Sequence, residues 1–435
     1  MPVIVQKFGG TSVADIPRIL RCARRAVETQ QAGHEVVVVV SAMGHTTDEL
    51  IQLAEMLTDH PSPREMDMLM ATGEQVSIAL MSMALHSLGA DAVSMTGVQM
   101  GMLTNQVHTK ARIQSINAER IRSELKAGKI VVAAGFQGAT EDGQITTLGR
   151  GGSDTTAVAL AAALGVNHSS GSCEIYTDVE GVYTADPRIV PNARKLDRVS
   201  YEEMLELASQ GAAVMQTRSV MFGQKYDVPI HVRHSGKPDA GTIISRETPD
   251  MEDIVVSGCA LKRDLGRISL RRIPNHPGAQ GLVFQHIASA NVIVDDIMQT
   301  EHGEAASLSF TVDHSDLADV KIAASKAIDE LGCGEINVEI GLAKVSVAGV
   351  GMRNHSGVAA TMFKALGDAG INIANIATSD IKISCIVPKE HGERALQVVH
   401  DAFELGRPRD LRTAGATIAS WSDAGSARTS TVPAR

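Results

Sequence analysis

An α/β sandwich around a mostly parallel sheet, followed by two small α+β modules, is the architecture this sequence predicts. Three observations carry the prediction. Over roughly the first 245 residues, short apolar runs alternate with amphipathic stretches, the pattern of βαβ winding. Beyond them the chain repeats itself, with two copies of a strand, a turn, a helix and further strands. The length, 435 residues, exceeds what one core organises and calls for two to four domains.

The first element is Val3-Ile4-Val5, a β-branched run that leads into Gln6-Lys7-Phe8-Gly9-Gly10-Thr11-Ser12 and then into a helical pattern. A strand ending in lysine, two glycines and hydroxyls suits a phosphate: the glycines admit the backbone N–H groups, and the helix start and the lysine supply positive charge. The lysine precedes the glycines, so this is not the G-x-x-x-x-G-K-[ST] loop. Further strands are expected at Glu35–Val40, Ala92–Met95, Lys129–Ala134, Glu174–Thr177 and Val228–Val232, with helices at Asp15–Gln30, Pro63–Ser87 and Thr155–Leu164. Glycine turns follow Val5 and Val40 and recur in Thr147-Leu148-Gly149-Arg150-Gly151-Gly152-Ser153-Asp154, where parallel sheets place their ligands. Asp239–Asp253, polar and carrying Gly241 and Pro249, reads as a linker.

In the repeat, Ile268-Ser269-Leu270 through Asn275-His276-Pro277-Gly278 is echoed by Val345-Ser346-Val347 through Asn354-His355-Ser356-Gly357. Ala290-Asn291-Val292-Ile293 aligns with Ala369-Gly370-Ile371-Asn372, and closing strands are expected at Ala306–Val312 and Ile381–Val387. Such units pair their sheets. The tail from Ala414, rich in Ala, Ser, Thr and Gly, reads as disordered.

Composition excludes several classes. A net charge of −10, without basic blocks, argues against a nucleic-acid partner. No apolar run reads as a membrane span and no signal-peptide pattern opens the chain, so the expected setting is the cytoplasm. Cys22, Cys173, Cys259, Cys333 and Cys385 are scattered, as buried free thiols in a reducing compartment would be, and form neither a disulfide frame nor a metal site. With 3% aromatic residues, the cores must be aliphatic and methionine-rich.

KFGGTSV at the start, VSAMGHTTDEL at 40–50, ATGEQVSIAL at 71–80, TTLGRGGSDTTA at 146–157 and YTDVEGVYTADPR at 176–188 resemble aspartate kinase, in that family's order and spacing. The tandem repeat resembles its two regulatory ACT domains. The resemblance implies an amino-acid-kinase sandwich over 1–247, ferredoxin-like ACT domains over 255–340 and 341–415, and a tail over 416–435. It implies phosphorylation of the L-aspartate side chain by ATP with Mg²⁺, the first step of lysine, methionine and threonine biosynthesis. Lys7 and Asp154 match the catalytic positions. Lys7, Phe8, Gly9, Gly10 and Ser12 would embrace the phosphates, and Thr177, Asp178, Tyr183, Asp186 and Arg188 match the nucleotide segment. Ser41, Thr47, Glu74, Arg150, Gly151, Gly152, Ser153 and Asp154 would hold aspartate: Arg150 can fork onto a carboxylate, and Glu74, read as opening a helix after Gly73, would take the ammonium. Asp178 is read as ending a buried strand. No residue set is assigned as a resident metal site.

One departure stands out. A lysine usual in a Gly-Ala-Lys-Val stretch is replaced in Gly211-Ala212-Ala213-Val214, with Arg218 or Lys225 as partial substitutes. In the regulatory half, His276, Gly278 and Ala279 would meet an effector's carboxylate, and Asp295 and Gln299 its amino groups. Asn372, Ile373 and Asn375 of the second repeat would complete the pocket. An acid near a bound ammonium favours lysine, with threonine the other candidate effector. The expected state is a homodimer or higher oligomer through the ACT domains. The alternative is a catalytically weakened amino-acid sensor, which the retention of Lys7, Glu74, Arg150 and Asp154 disfavours. Gly349-Val350-Gly351 imitates a dinucleotide fingerprint but lacks its third glycine. Length leaves no room after the repeats for a dehydrogenase, and Met251 is a possible start of a separate regulatory subunit.

Overall fold

The computed structural model describes residues 1–211, 214–246, 255–290 and 292–407. Ala213, Met251 and the stretch 416–435 lie outside the described residues. The chain forms two compact units. The first takes Met1–Tyr183 and Lys195–Ser209 and continues over 214–246; the second takes Thr184–Arg194, Gln210 and Gly211, and 255–407.

In the first unit an eight-stranded sheet runs in the order Arg198–Ser200, Thr242–Ser245, Ile230–His234, Gly171–Thr177, Val3–Phe8, Glu35–Val40, Ile130–Ala134, Ala92–Met95. Every neighbouring pair is parallel except Ile230–His234 with Thr242–Ser245. Valines 36 to 40 are all buried, as in a strand covered on both faces, which explains their unbroken apolar run. The Ile16–Gln31 and Pro63–Ser87 helices close one core over Phe8, Val38, Val40 and Val132. The Gly152–Leu164 helix, apolar nearly all round, packs against the Val3–Phe8 strand. Pro63–Ser87 is long and apolar enough to cross a membrane by length and composition, contrary to expectation, but here it serves as a core helix with Met70, Ile78, Met81 and Leu85 buried. A four-stranded sheet, Ile113–Ile116, Met102–Thr104, Gln137–Ala139 and Ile145–Thr147, completes the unit.

The expected strands and helices stand within a few residues of their expected bounds, but the linker is a correction. Thr242–Ser245 is a strand, antiparallel to Ile230–His234 through a turn in which Gly241 takes φ +72°. The β-branched Thr242-Ile243-Ile244 run outweighs the polar residues before it.

In the second unit the two repeats share a six-stranded sheet in the order Asp295–His302, Ala305–Asp313, Gly258–Pro274, Glu335–Ala348, Lys382–Pro388, Asn375–Ser379. The two central strands are long and belong to both modules. Residues 267–271 pair with 335–339, while 258–262 pair with 344–348. Accordingly one core gathers Ile268, Val283, Phe310 and Val320, and the other gathers Cys259 with Val345, Val347, Cys385 and Val399. The Thr184–Arg194 segment joins the latter: Ala185 and Val190 are buried in it, and Thr184 Oγ1 meets the buried His400 Nε2 at 3.0 Å.

Lys344, 1% exposed, reaches across the sheet to the carboxylates of Asp295 and Asp296. Burial alone would raise the Asp295 carboxyl, but the hydrogen bond and charge of Lys344 hold it below its ordinary value. Removing one partner of a buried ionic cluster strands the others. Lys344→Met is therefore expected to lower the unfolding free energy by about 3 kcal/mol, read from urea unfolding at pH 7. A loss under roughly 1 kcal/mol would reduce the cluster to a surface bridge.

Candidate active site

Four adjacent strands, Gly171–Thr177, Val3–Phe8, Glu35–Val40 and Ile130–Ala134, end side by side, and their turns build the site. Lys7, one residue from the end of its strand, is nearly buried, and its Nζ lies 2.6 Å from Asp154 Oδ1. Asp154 stands in the first turn of the Gly152–Leu164 helix, whose N-cap is Gly151 and has no side-chain cap. Its carboxylate therefore faces the lysine rather than capping the helix.

The glycine turns interlock through backbone. Gly44 N–H donates to Gly10 O at 3.0 Å, and Ser41 N–H to Phe8 O at 3.2 Å. A Cβ on Gly10 would stand 2.8 Å from Ala42 O, so only glycine permits this approach. Gly9 N–H donates to Tyr176 O at 3.3 Å, binding the turn to the next strand, and Phe8 stacks on Tyr176. Ser12 Oγ is buried without a hydrogen-bond partner. It lines a cavity of about 270 Å³ shared with Arg18, Arg21, Asp178 and His234.

Glu74 sits at mid-helix in Pro63–Ser87, not at a helix start, because Gly73 is absorbed into the helix to let Ala42 approach: a Cβ there would meet Ala42 Cβ at 2.7 Å. At 2% exposure Glu74 is no solvated helix charge. Its Oε1 accepts from Ala42 N–H at 3.0 Å, while Oε2 is buried with no partner. Burial pushes the carboxyl up to about 7, against the Ala42 hydrogen bond. An unsatisfied buried carboxylate oxygen asks for a cationic ligand. Ser41 follows its strand, Thr47 lies in the first turn of the Thr46–Glu55 helix, and Ser153 crowds Gly135 at the end of Ile130–Ala134. Arg150 is exposed between Gly149 and Gly151, both at positive φ.

The nucleotide segment divides. Thr177, Asp178 and Tyr183 lie in the first unit; Asp186 and Arg188 lie in the second, paired with each other at 2.7 Å. Asp178 is exposed and accepts from Thr177 Oγ1, which corrects the buried placement: it stands one residue beyond its strand, in solvent. Arg218 is not a spare cation, since its guanidinium donates to Leu148 O at 2.6 Å and Ala111 O at 3.0 Å.

Among the effector residues, Gly278 takes φ +98° ahead of the Ala279–Ser289 helix, His276 is exposed, and Gln280 donates to Gln299 at 2.8 Å. Asn372 and Ile373 precede the Asn375–Ser379 strand rather than forming it. A single chain does not join them to Asp295 and Gln299 by strand pairing. Their strands are opposite edges of the six-stranded sheet, because the long central strands push each module's short strand outward.

Sequence reasoning missed Asp67, fully buried on the same helix as Glu74. The signal was available: the two acids are seven residues apart, on one face of an otherwise apolar stretch.

Residues 2–234 match the model of the amino acid kinase family, and 345–403 that of an ACT domain. An aspartate kinase of Pseudomonas putida is 48% identical over 410 residues, spanning 94% of this chain and 99% of the relative. The chain belongs to the aspartate kinases. Aspartokinase 2 of Bacillus subtilis is likewise 48% identical over 407 residues, covering 94% of the kinase and 99% of the relative. Among solved structures, E. coli aspartokinase III in complex with aspartate and ADP (R-state) superposes with a TM-score of 0.78 at 27% identity, covering 92% of this kinase and 99% of that chain. The same enzyme in complex with lysine and aspartate (T-state) gives 0.69.

Two outcomes follow for the kinase. Gly10→Ala is expected to cost about tenfold or more in kcat/KM, because the two turns must part, whereas Gly281→Ala, with open space at its Cβ, leaves activity unchanged. Glu74 has a raised folded value near 7 against an ordinary 4.5. Its neutral form stabilises the fold fully below pH 4.5, and that stabilisation is lost as pH rises through 7. Glu74→Gln should therefore melt above the parent at pH 8 and converge with it at pH 4 in calorimetry.

Proposed function

We propose that this kinase transfers the γ-phosphoryl group of ATP to the side-chain carboxylate of L-aspartate, giving 4-phospho-L-aspartate, and that lysine or threonine binding to the ACT modules regulates the transfer. The observation that carries the reading is Glu74 Oε2, buried and unpartnered on the helix that meets the Ala42 turn, with the Lys7–Asp154 pair on the adjoining strand. Aspartate brings an ammonium and two carboxylates. Glu74 receives the ammonium, and ion pairing restores its charged form at neutral pH. Arg150 forks onto a carboxylate, and the hydroxyls of Ser41, Thr47 and Ser153 with the Gly151 and Gly152 backbone orient the rest.

Phosphoryl transfer demands alignment and charge stabilisation more than covalent chemistry. Lys7 meets the charge developing on the transferring group, and Asp154 fixes the direction of its ammonium. The backbone at Phe8, Gly9 and Gly10 and the Ser12 hydroxyl cradle phosphate oxygens. Thr177, Asp178 and Tyr183 are assigned to the nucleotide, with Asp186 and Arg188 named on family resemblance alone. Among the described residues no three acids, histidines or cysteines converge on a metal site. That donor set suits Mg²⁺ carried by the nucleotide phosphates and water, with the exposed Asp178 carboxylate as the protein's contribution. The ion, when bound, neutralises phosphate charge.

The domains are assigned to 1–247, 255–340 and 341–415, with 416–435 as a tail. In the first ACT module, His276, Gly278 and Ala279 are assigned to the effector's carboxylate, and Asp295 and Gln299 to its amino groups. Asn372, Ile373 and Asn375 mark the second module's edge. Asp295, with 48% of its side chain exposed, keeps an open face for a basic effector's ammonium beside Lys344 and Lys382. The complex of E. coli aspartokinase III with lysine and aspartate supports that choice. Both sheet edges, with Ile297 and Ile376 exposed, favour a homo-oligomer through the ACT modules, and the reaction belongs to the cytoplasm, as the first step of lysine, methionine and threonine biosynthesis.

Trapping acyl phosphate with hydroxylamine in the presence of Mg-ATP tests this. Aspartate-dependent hydroxamate is expected, reduced about 10²-fold or more in Lys7→Met. kcat/KM for aspartate should rise with pH through about 7 as Glu74 ionises. Hydroxamate formed without aspartate, or an undiminished Lys7→Met, would sink the assignment. Indifference to both lysine and threonine would sink the effector part alone.

A further inference from the structure

Arg150 has no side-chain partner among the hydrogen bonds and ion pairs of the described residues, and it hangs between two glycines in left-handed conformation, Gly149 at φ +79° and Gly151 at φ +68°. A residue on such a hinge has little local reason to point one way. Its direction must come from what holds the hinge, and two charged groups, one buried and one half-buried, do so.

The first is Asp67, from the helix that carries Glu74. Its carboxylate accepts from Thr147 Oγ1 at 2.5 Å, from Thr109 N–H at 3.0 Å, and lies 2.7 Å from His108 Nδ1. The 108–109 turn is thereby drawn onto the hinge, where Thr109 O would stand 3.1 Å from a Cβ on Gly149. The second is Arg218, from the Thr217–Tyr226 helix. One guanidinium nitrogen donates to Leu148 O and another to Ala111 O. Ala111 N–H in turn donates to Thr147 O at 2.9 Å, so the two strands of the clamp are tied to each other. On the far side, the Gln216 side chain lies against Gly151, where no Cβ could fit.

We infer that Arg218 and Asp67 are positioning residues for Arg150: they fix the backbone at 147–149 from two helices and so aim the guanidinium that receives the substrate's carboxylate. Neither touches substrate. The inference rests on the assignment of Arg150 to aspartate made above. It explains why a guanidinium is spent on two main-chain carbonyls, a geometry that the single point of a lysine ammonium does not reproduce.

The test is initial-rate kinetics on the full chain, varying aspartate and ATP separately, for Arg218→Met, Arg218→Lys, Asp67→Asn, Arg150→Met and the double variant Arg150→Met/Arg218→Met. Arg218→Met and Asp67→Asn are expected to raise KM for aspartate about tenfold, with KM for ATP within about twofold. Arg218→Lys, which keeps one of the two bonds, should fall between them and the parent, and covers the case in which Arg218→Met does not fold. A merely structural role would lower the melting temperature and the active fraction without moving KM for aspartate. If Arg218 acts through Arg150, the double variant binds aspartate no worse than Arg150→Met alone; multiplied losses would overturn the inference. A raised KM in Arg150→Met with an unchanged one in Arg218→Met would overturn the positioning role and leave the Arg150 assignment intact. An unchanged KM in Arg150→Met would overturn that assignment, and the positioning role with it.

Discussion

A lysine ammonium and an aspartate carboxylate, both nearly withdrawn from water, meet at the end of the central sheet, and the catalytic unit is organised around that meeting. Neither charge could be held there alone, since desolvation of an isolated ion far exceeds what local packing returns. The pair joins the first strand to the Gly152–Leu164 helix, elements separated by more than a hundred residues of sequence. Once it is in place, the lysine and aspartate charges answer each other until a ligand arrives. Glu74 is held against its preference for ionisation by burial, and its unpartnered oxygen gives the site polarity before any substrate binds.

The glycine turns solve a related problem. Two loops can bring their main-chain donors to one phosphate only if they touch each other first, and side chains would hold them apart. Gly10 against Ala42 and Gly73 against Ala42 are two contacts where the absence of a Cβ decides the geometry. The Ala42 segment is thus gripped from the phosphate turn on one side and from the Glu74 helix on the other. Displacement of any one of the three elements is transmitted to the others.

Much of this was legible in the sequence, for identifiable reasons. Strands buried on both faces write unbroken apolar runs, and Val36 to Val40 left no other reading. The Lys-Phe-Gly-Gly turn combines charge and backbone freedom within four residues, so its chemistry is local. What escaped was chemistry assembled from afar. Asp67 finds its partners 41 and 80 residues away, so its spacing from Glu74 marks a buried acid without naming those partners, and Arg218, whose carbonyls are 70 and 107 residues away, leaves no local pattern. Asp178 was misplaced because one residue past a strand end separates interior from solvent. Thr242–Ser245 was hidden by its polar flanks, and the separation of the two effector half-sites follows from strand order, which pairwise repeats in sequence do not encode.

The strands Gly258–Pro274 and Glu335–Ala348 each begin in one regulatory module and finish in the other. Each module therefore owns a strand whose continuation is the framework of its twin. A chain divided between the repeats would leave two sheets each lacking a member and each with raw hydrogen-bonding edges in place of a neighbour. The regulatory half is thus not a string of two interchangeable beads. Heritable change by shuffling, loss or duplication can act on the pair but not on its members, and any strain introduced in one module has a continuous backbone along which to reach the other.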